Sequence, residues 1–439
     1  MNNFRLLTRV LAVTLLSGGA CAYAEAVQTM TLEELFQTAE TNSAQLRPWF
    51  TAEEVADRGV DVARGKWRPD ISANLSLSYI GDGFTTDRNF SDYQKAPIPH
   101  LGNGVGLGVE QPLYTGGAIT AGIEMAKLKS SAARFTTEQQ RDNIRFRLAG
   151  FYFDLYKYTN LRGVVEQNIA HARKVLDEMH ARHEQGVALY NDITRYELLV
   201  SNLELQLVKI DNTLKILNRN LVVTAGLPDD TEIAPDTTIL ARALPSAGEG
   251  WWKQEALANS PSLKLARIGA DISRSAEKLV KSEYLPKIGI KAAWTIDGPI
   301  LVEVPPINRN LSYWYVGVGV SYNLSSLFKS NKSLSKSRAA VRTATERVEA
   351  AGENVSLQVH ADYVCYLEAY EELKTQQKSV ELAERNYRTV FTRYSADMAL
   401  ITDMIDAANS RLDAQQRLVN ARINIIYCYY KLLFTSGTI

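Results

Sequence analysis

The stretch Val105-Gly106-Leu107-Gly108-Val109-Glu110-Gln111-Pro112-Leu113-Tyr114-Thr115-Gly116-Gly117 decides the fold. Its first half alternates apolar residues with glycine, the period of two that belongs to a β-strand. Its second half ends in a proline and a glycine pair, which punctuate a chain. From Ala118 to about Gln185 the sequence reads as one helix, and at ~1.5 Å per residue that helix spans roughly 100 Å. A compact globule has no room for it. A second helix runs from about Asn191 to Ala225 and carries the stripe Leu203, Leu207, Ile210, Leu214, Leu217, Leu221. Steps of three and four mark a coiled-coil seam, which we read as packing.

The pattern occurs twice, about 210 residues apart. Asn42-Ser43-Ala44-Gln45-Leu46 matches Asn259-Ser260-Pro261-Ser262-Leu263, and Trp67-Arg68-Pro69 matches Tyr284-Leu285-Pro286. Val105 to Val109 matches Val316-Gly317-Val318-Gly319-Val320. Further on, Arg182 meets Arg393, Ala188-Leu189 meets Ala399-Leu400, and Asp192 meets Asp403. The first repeat covers 25–225 and the second 251–439. Between them 226–250 is rich in Pro, Gly, Asp and Thr and reads as a connector. Each repeat opens on a helical stretch with a capping-box pattern, Thr31-x-x-Glu34 and Ser246-x-x-Glu249. Two strands follow, at about 70–80 and 104–114, then at about 287–296 and 314–324. Two long helices complete the unit; in the second repeat Leu418, Ala421, Ile425, Cys428 and Leu432 repeat the stripe. The helical turns fall near Gly186-Val187 and Asp397-Met398.

In the first strand Ile71, Ala73, Leu75, Leu77 and Tyr79 alternate with Ser72, Asn74, Ser76 and Ser78. Strands of about ten residues suit a membrane-spanning β-structure, with Leu75, Leu77 and Leu107 facing lipid. A soluble sandwich with one buried face stays open on alternation alone. Tyr79, Tyr114, Trp294, Tyr313, Trp314 and Tyr315 lie near strand ends, where an aromatic girdle belongs. Four strands cannot close a barrel, and lipid tolerates no unpaired edge, so a spanning sheet requires oligomerisation. Two, three or four copies give eight, twelve or sixteen strands.

The bulk composition agrees. Hydrophobic residues are 46% and charged residues 22% of 439, which suits a folded chain and not a disordered one. Lys plus Arg equals Asp plus Glu at 49 each, so no basic excess points to nucleic acid. No long apolar run follows the N-terminus, which excludes helical spans. Residues 1–24 read as a signal peptide. Arg5 and Arg9 start it, Val10 to Leu16 is apolar, and Ala22-Tyr23-Ala24 is the cleavage pattern. Cys21 suggests a lipoprotein, but Gly18 stands where a lipobox prefers Leu.

Taken together, the sequence resembles the TolC-type outer-membrane efflux proteins over nearly its whole mature length. The markers are Gln111 to Gly117, the elements ending in Pro69 and Pro286, and the stretches Arg182 to Asp192 and Arg393 to Asp406. Ser325-Ser326-Leu327-Phe328-Lys329 departs from the pattern, lacking the proline and glycine pair of the first repeat. The resemblance implies a mixed α and β fold. It implies three chains that share a twelve-stranded β-barrel in the outer membrane, continued by a long antiparallel α-helical barrel in the periplasm. It implies a passive exit duct of a tripartite efflux or type I secretion system, for small molecules or proteins. Its partners would be a periplasmic adaptor (membrane-fusion) protein and an inner-membrane pump of RND, ABC or MFS type. It implies no enzyme activity and no cofactor.

Asp403 and Asp406 are three apart at a helix start, hence on one face. The resemblance places acidic residues here in a ring around the closed entrance, a charge that favours cations. Simple stabilisation of a helix N-terminus is the other reading. Asp192 is the first-repeat equivalent of Asp403. Tyr394 matches a tyrosine that ties the closed tip, whereas Ala399 stands where an arginine is expected. His180, His183 and Glu184, with His171 a few turns earlier, invite a metal site, but a polar helix face explains them more simply. Gly102 to Gly108 lacks the spacing of a nucleotide loop. Cys365 and Cys428 fall at equal heights of an antiparallel hairpin. Buried free thiols are favoured over a disulfide, although the compartment is oxidising. Loops Gly81 to Asn103 and Asp297 to Ser312 are long enough to plug a channel mouth. Two rivals remain: a soluble periplasmic coiled-coil scaffold, and a metal enzyme built on the histidines.

Overall fold

The computed structural model describes residues 27–236, 244, 247–303 and 306–439. The signal peptide, with Cys21, and the capping residue Ser246 lie outside them. In chain order come β1 (Val27–Met30), α1 (Leu32–Asn42), α2 (Arg47–Gly65), β2 (Asp70–Tyr79), a small hairpin of β3 (Gly83–Thr85) and β4 (Gln94–Ala96), and β5 (Leu101–Tyr114). Then follow α3 (Ala118–Glu184), α4 (Tyr190–Ala225), β6 (Glu232–Pro235), α5 (Glu249–Asn259) and α6 (Pro261–Ser282). The chain ends with β7 (Lys287–Gly298), β8 (Leu311–Ser321), α7 (Ser326–Ser395) and α8 (Ile401–Ser436).

The strands β2, β5, β7 and β8 form one antiparallel sheet in that order. Register puts Ala73 opposite Leu107, Leu107 opposite Trp294, and Trp294 opposite Trp314. Residues directly opposite share a face, so one apolar face runs across all four strands. On the other face Ser72, Asn74, Ser76 and Ser78 meet Gly108, Gly106, Gly104 and Gly102. Each glycine leaves room that the facing Ser or Asn side chain occupies. The same register corrects the girdle. Trp294 and Trp314 are on the apolar face, but Tyr313 and Tyr315 oppose Thr295 and Ala293 on the small, polar face. Neighbours in a strand point oppositely, so Tyr313 and Tyr315 cannot share a face with Trp314.

The Gly116-Gly117 pair turns β5 into α3. Both have left-handed backbones, at φ 64° and 87°. The fourth strand is shifted from 314–324 to Leu311–Ser321. Its end is set by Asn323, whose side chain accepts from the Ser325 backbone N–H at 3.2 Å and whose carbonyl accepts from Ser326 N–H at 2.9 Å. This local Asn turn competes with the strand ladder. The connector also holds more order than its composition announces, since β6 pairs in parallel with β1. Tyr152 fastens that pair, its hydroxyl donating to the Met30 carbonyl at 2.9 Å and accepting from Asp236 N–H at 2.6 Å. Asn218 holds it from α4, accepting from Ile233 N–H at 2.9 Å.

Thr31 and Glu34 make a reciprocal capping box at the start of α1, with bonds of 2.8 and 3.2 Å. At α5 the cap is Gly248, with no side-chain hydrogen bond. The long helices pair as α3 with α4 and α7 with α8. Leu203, Ile210, Leu217 and Leu221 of the first stripe are buried, as are Ala421, Ile425, Cys428 and Leu432 of the second. Three apolar clusters hold this bundle, two of them side by side on α8 around residues 423–432 and the third nearer the helical turns. One joins α1 to α3, α4 and α8; one lies among α3, α4, α7 and α8; one sets Trp252 and Ala256 of α5 against α7 and α8.

Candidate functional site: the helical tips and the sheet face

Both hairpins turn where the sequence indicated. In the first, Gly186 takes a left-handed backbone at φ 76°, and Val187 N–H bonds back to the Arg182 carbonyl at 3.0 Å. In the second, Asp397 fills the same role at φ 58°, and Met398 N–H bonds back to the Arg393 carbonyl at 2.8 Å. These five-residue returns satisfy carbonyls that a helix end leaves open.

The acidic residues divide between two roles. The Asp403 carboxylate accepts from its own helix's Leu400 N–H at 3.2 Å, so it stabilises the start of α8. Asp403 and Asp406 are both exposed, flanking the buried Met404 and Ala407, and share a solvent face. Neither forms an ion pair among the described residues. Asp192 stands at the start of α4, close enough to Tyr394 that its charge, after burial, helps push the phenol pKa up.

The tie between hairpins is one that sequence reasoning missed. Arg182, near the end of α3, donates to the Asp397 carboxylate in the turn after α7. Its guanidinium also stands over the Tyr394 ring, 5.8 Å from the centroid. The missing arginine at position 399 is thus answered by a cation from the other hairpin. The repeat match of Arg182 with Arg393 gave no sign that only one of the pair would reach across.

Further from the tip a second, buried tie joins the hairpins. Arg411 of α8 donates to Asn168 of α3 at 2.9 Å and lies 3.8 Å from the centre of the Tyr387 ring. Asn168 in turn donates to Gln415 at 2.9 Å. His171 and the Tyr387 hydroxyl are 2.8 Å apart, and burial together with the Arg411 charge lowers the histidine pKa. Of the other histidines, His180 faces Glu197 at 3.9 Å and His183 meets the Ala188 carbonyl at 2.8 Å. No group of three metal-ligating side chains converges among the described residues. The metal-enzyme reading therefore has no site there.

At the opposite end, the apolar face of the sheet is exposed. Leu75 and Leu77 are 82% and 75% exposed and Leu107 is 48% exposed. No described helix is long and apolar enough to cross a membrane.

A duplicated strand-and-helix order of this kind invites comparison with known proteins. The sequence profile described as outer membrane efflux protein matches residues 35–227 and 252–427. The chain belongs to the outer membrane efflux protein family. Among curated relatives, outer membrane efflux protein BepC of Brucella suis biovar 1 (strain 1330) is 20% identical over 435 residues, covering 99% of this chain and 91% of its own. Outer membrane protein TolC of Vibrio cholerae serotype O1 is 22% identical over 426 residues, covering 94% and 92%. The fold matches the outer-membrane channel OprN, with TM-score 0.77 at 15% identity and coverage of 93% and 90%. It also matches VceC of Vibrio cholerae, with TM-score 0.74 at 16% identity and coverage of 92% and 96%. The family places the chain in the outer membrane, with its helices in the periplasm, as an efflux channel rather than an enzyme. A wholly soluble scaffold is ruled out with it.

Proposed function

We propose that three copies of this chain close a single twelve-stranded barrel, each adding one tandem-repeated unit of four strands and two helical hairpins. The observation that carries the reading is the pair of free sheet edges. Among the described residues β2 pairs only with β5 and β8 only with β7, while the apolar face they carry is exposed. In lipid each unpaired N–H and C=O would cost several kcal/mol, so β8 of one copy pairs with β2 of the next. Mass measurement of the intact detergent complex tests this. A trimer is expected, and a monomer that remains in the membrane fraction would overturn it.

The helices then continue the barrel as a periplasmic tunnel, and the tips form its entrance. The duct is passive. It receives small molecules or proteins from an inner-membrane pump of RND, ABC or MFS type through a periplasmic adaptor that docks on the tunnel. Asp403 and Asp406, exposed on one face, supply six carboxylates per trimer at the entrance, with Asp192 and Tyr394 beside them. Asp403→Ala with Asp406→Ala is expected to relieve divalent-cation block and alter conductance in planar bilayers; unchanged currents would remove these residues from the entrance.

Arg182 and Asp397 hold the closed arrangement within each copy. The pair is partly exposed, at 25% and 65%, so it is worth about 0.5–1 kcal/mol. Arg182→Ala is therefore expected to raise the open population about two- to fivefold per copy. Single-channel open probability measures it, and Arg182→Lys should recover part of the closed state.

A further inference from the structure

We propose that Cys365 and Cys428 are a disulfide-forming pair that staples α7 to α8 once the chain is exported. The two residues lie at nearly equal distances along the chain from the turn at Asp397, and the antiparallel hairpin brings their Sγ atoms to 3.0 Å. A disulfide bond is ~2.05 Å long, so closure needs an approach of only about 1 Å. Both are thiols in this structure. The compartment that holds the helices is oxidising.

The surroundings give the two sulfurs different parts. Cys428 is buried, in the cluster with Trp252, Val359 and Leu432, and burial pushes its thiol pKa up. Cys365 is half-buried, the more exposed of the two, and is assigned the first contact with an incoming protein. Beside them Asp362, with no exposed surface, accepts from Lys431 Nζ at 2.9 Å. The Lys431 charge acts on Cys428 and is itself acted on by Cys365, so an ammonium stands within range of both sulfurs. The thiolate is the reacting species, so the Lys431 charge favours reaction of Cys428 while the Asp362 carboxylate paired with it opposes this.

The oxidant is a protein disulfide of the exporting compartment. The Cys365 sulfur, having lost its proton, attacks one sulfur of that disulfide, and the other leaves as a thiolate. The Cys428 sulfur then loses its proton and attacks Cys365 Sγ, breaking the mixed disulfide and releasing the oxidant's second thiolate. Two electrons and two protons have passed from the cysteines to the oxidant. The result pins α7 to α8 beside the Trp252 cluster, far from the tips, so hinge motion of this hairpin is confined to the part nearer Asp397.

The test uses full-length protein from cells quenched in acid before lysis, denatured and alkylated without reductant. Peptide mass spectrometry is expected to find Cys365 and Cys428 joined in one cross-linked peptide, with neither alkylated until reductant is added. Cys365→Ser should leave Cys428 open to alkylation, and Cys428→Ser should do the same for Cys365. In the parent, reductant should lower the thermal unfolding midpoint; in either single variant it should have no effect. Alkylation of both cysteines in the unreduced parent would overturn the proposal. Failure of purified, reduced protein to form the cross-link under diamide would overturn its geometry.

Discussion

Lys431→Met is expected to destabilise the protein by about 2–3 kcal/mol, at or below the lower end of what breaking a buried ion pair costs, because the lysine is itself 36% exposed. Asp362 is fully buried, and its carboxylate takes Lys431 Nζ at 2.9 Å, Gln358 Nε2 at 2.9 Å and the Thr435 hydroxyl at 2.6 Å. Removing the lysine strands a charge that water cannot reach. The two neutral donors remain, which keeps the loss below the upper range. Adding Asp362→Asn to Lys431→Met should recover stability, because a buried amide costs less than a buried, unpaired carboxylate. Denaturant midpoints of the single and double variants provide the comparison. Equal losses in the two would mean that the effect is packing of the lysine stem and not charge.

Gly116→Ala should cost about 2–5 kcal/mol, and Gly117→Asn about 1 kcal/mol or less. Both glycines have left-handed backbones, so both substitutions meet conformational strain. They differ in space. A Cβ on Gly116 would sit 2.8 Å from the Ser282 carbonyl oxygen and 2.8 Å from Leu285 Cβ, whereas a Cβ on Gly117 has nothing within 4 Å. Asparagine tolerates the left-handed region better than other residues, which isolates the contact. The strand-to-helix bend is where the sheet hands over to α3, so the Gly116 change should also lower the yield of assembled, heat-modifiable channel. Similar losses at the two positions would discard the contact with α6 and the segment after it as the cause.

Local chemistry made much of this legible from sequence. Strand alternation at 105–109, the glycine pair, and the turn at Gly186 depend on the residues themselves, and the structure places all three as read. Asp397 carries a weaker turn signal of its own and stands at the position that Gly186 holds in the other half. Antiparallel geometry made the approach of Cys365 and Cys428 legible, but the ion pairs were not. Arg182 and Asp397 lie on different hairpins, and Asp362 acquires its burial only when α8 covers α7. Neither has a periodic signature. The β1–β6 pair escaped because four-residue strands in parallel carry too little pattern to stand out. The end of β8 escaped because Asn323 diverts the backbone into a side-chain turn while the apolar alternation runs on to Leu324.

Every partner of the β1–β6 clip that has been named, from Met30 through Tyr152 and Asn218 to Asp236, precedes the connector's exit into α5. The clip can therefore close while α5 to α8 are still crossing the inner membrane. A chain delivered N-terminus first would fold α3 against α4 before two similar helices arrive to compete for those surfaces. If the two halves are tandem copies, as proposed above, this timing would guard against exchange of helices between them, a failure to which tandem architectures are prone.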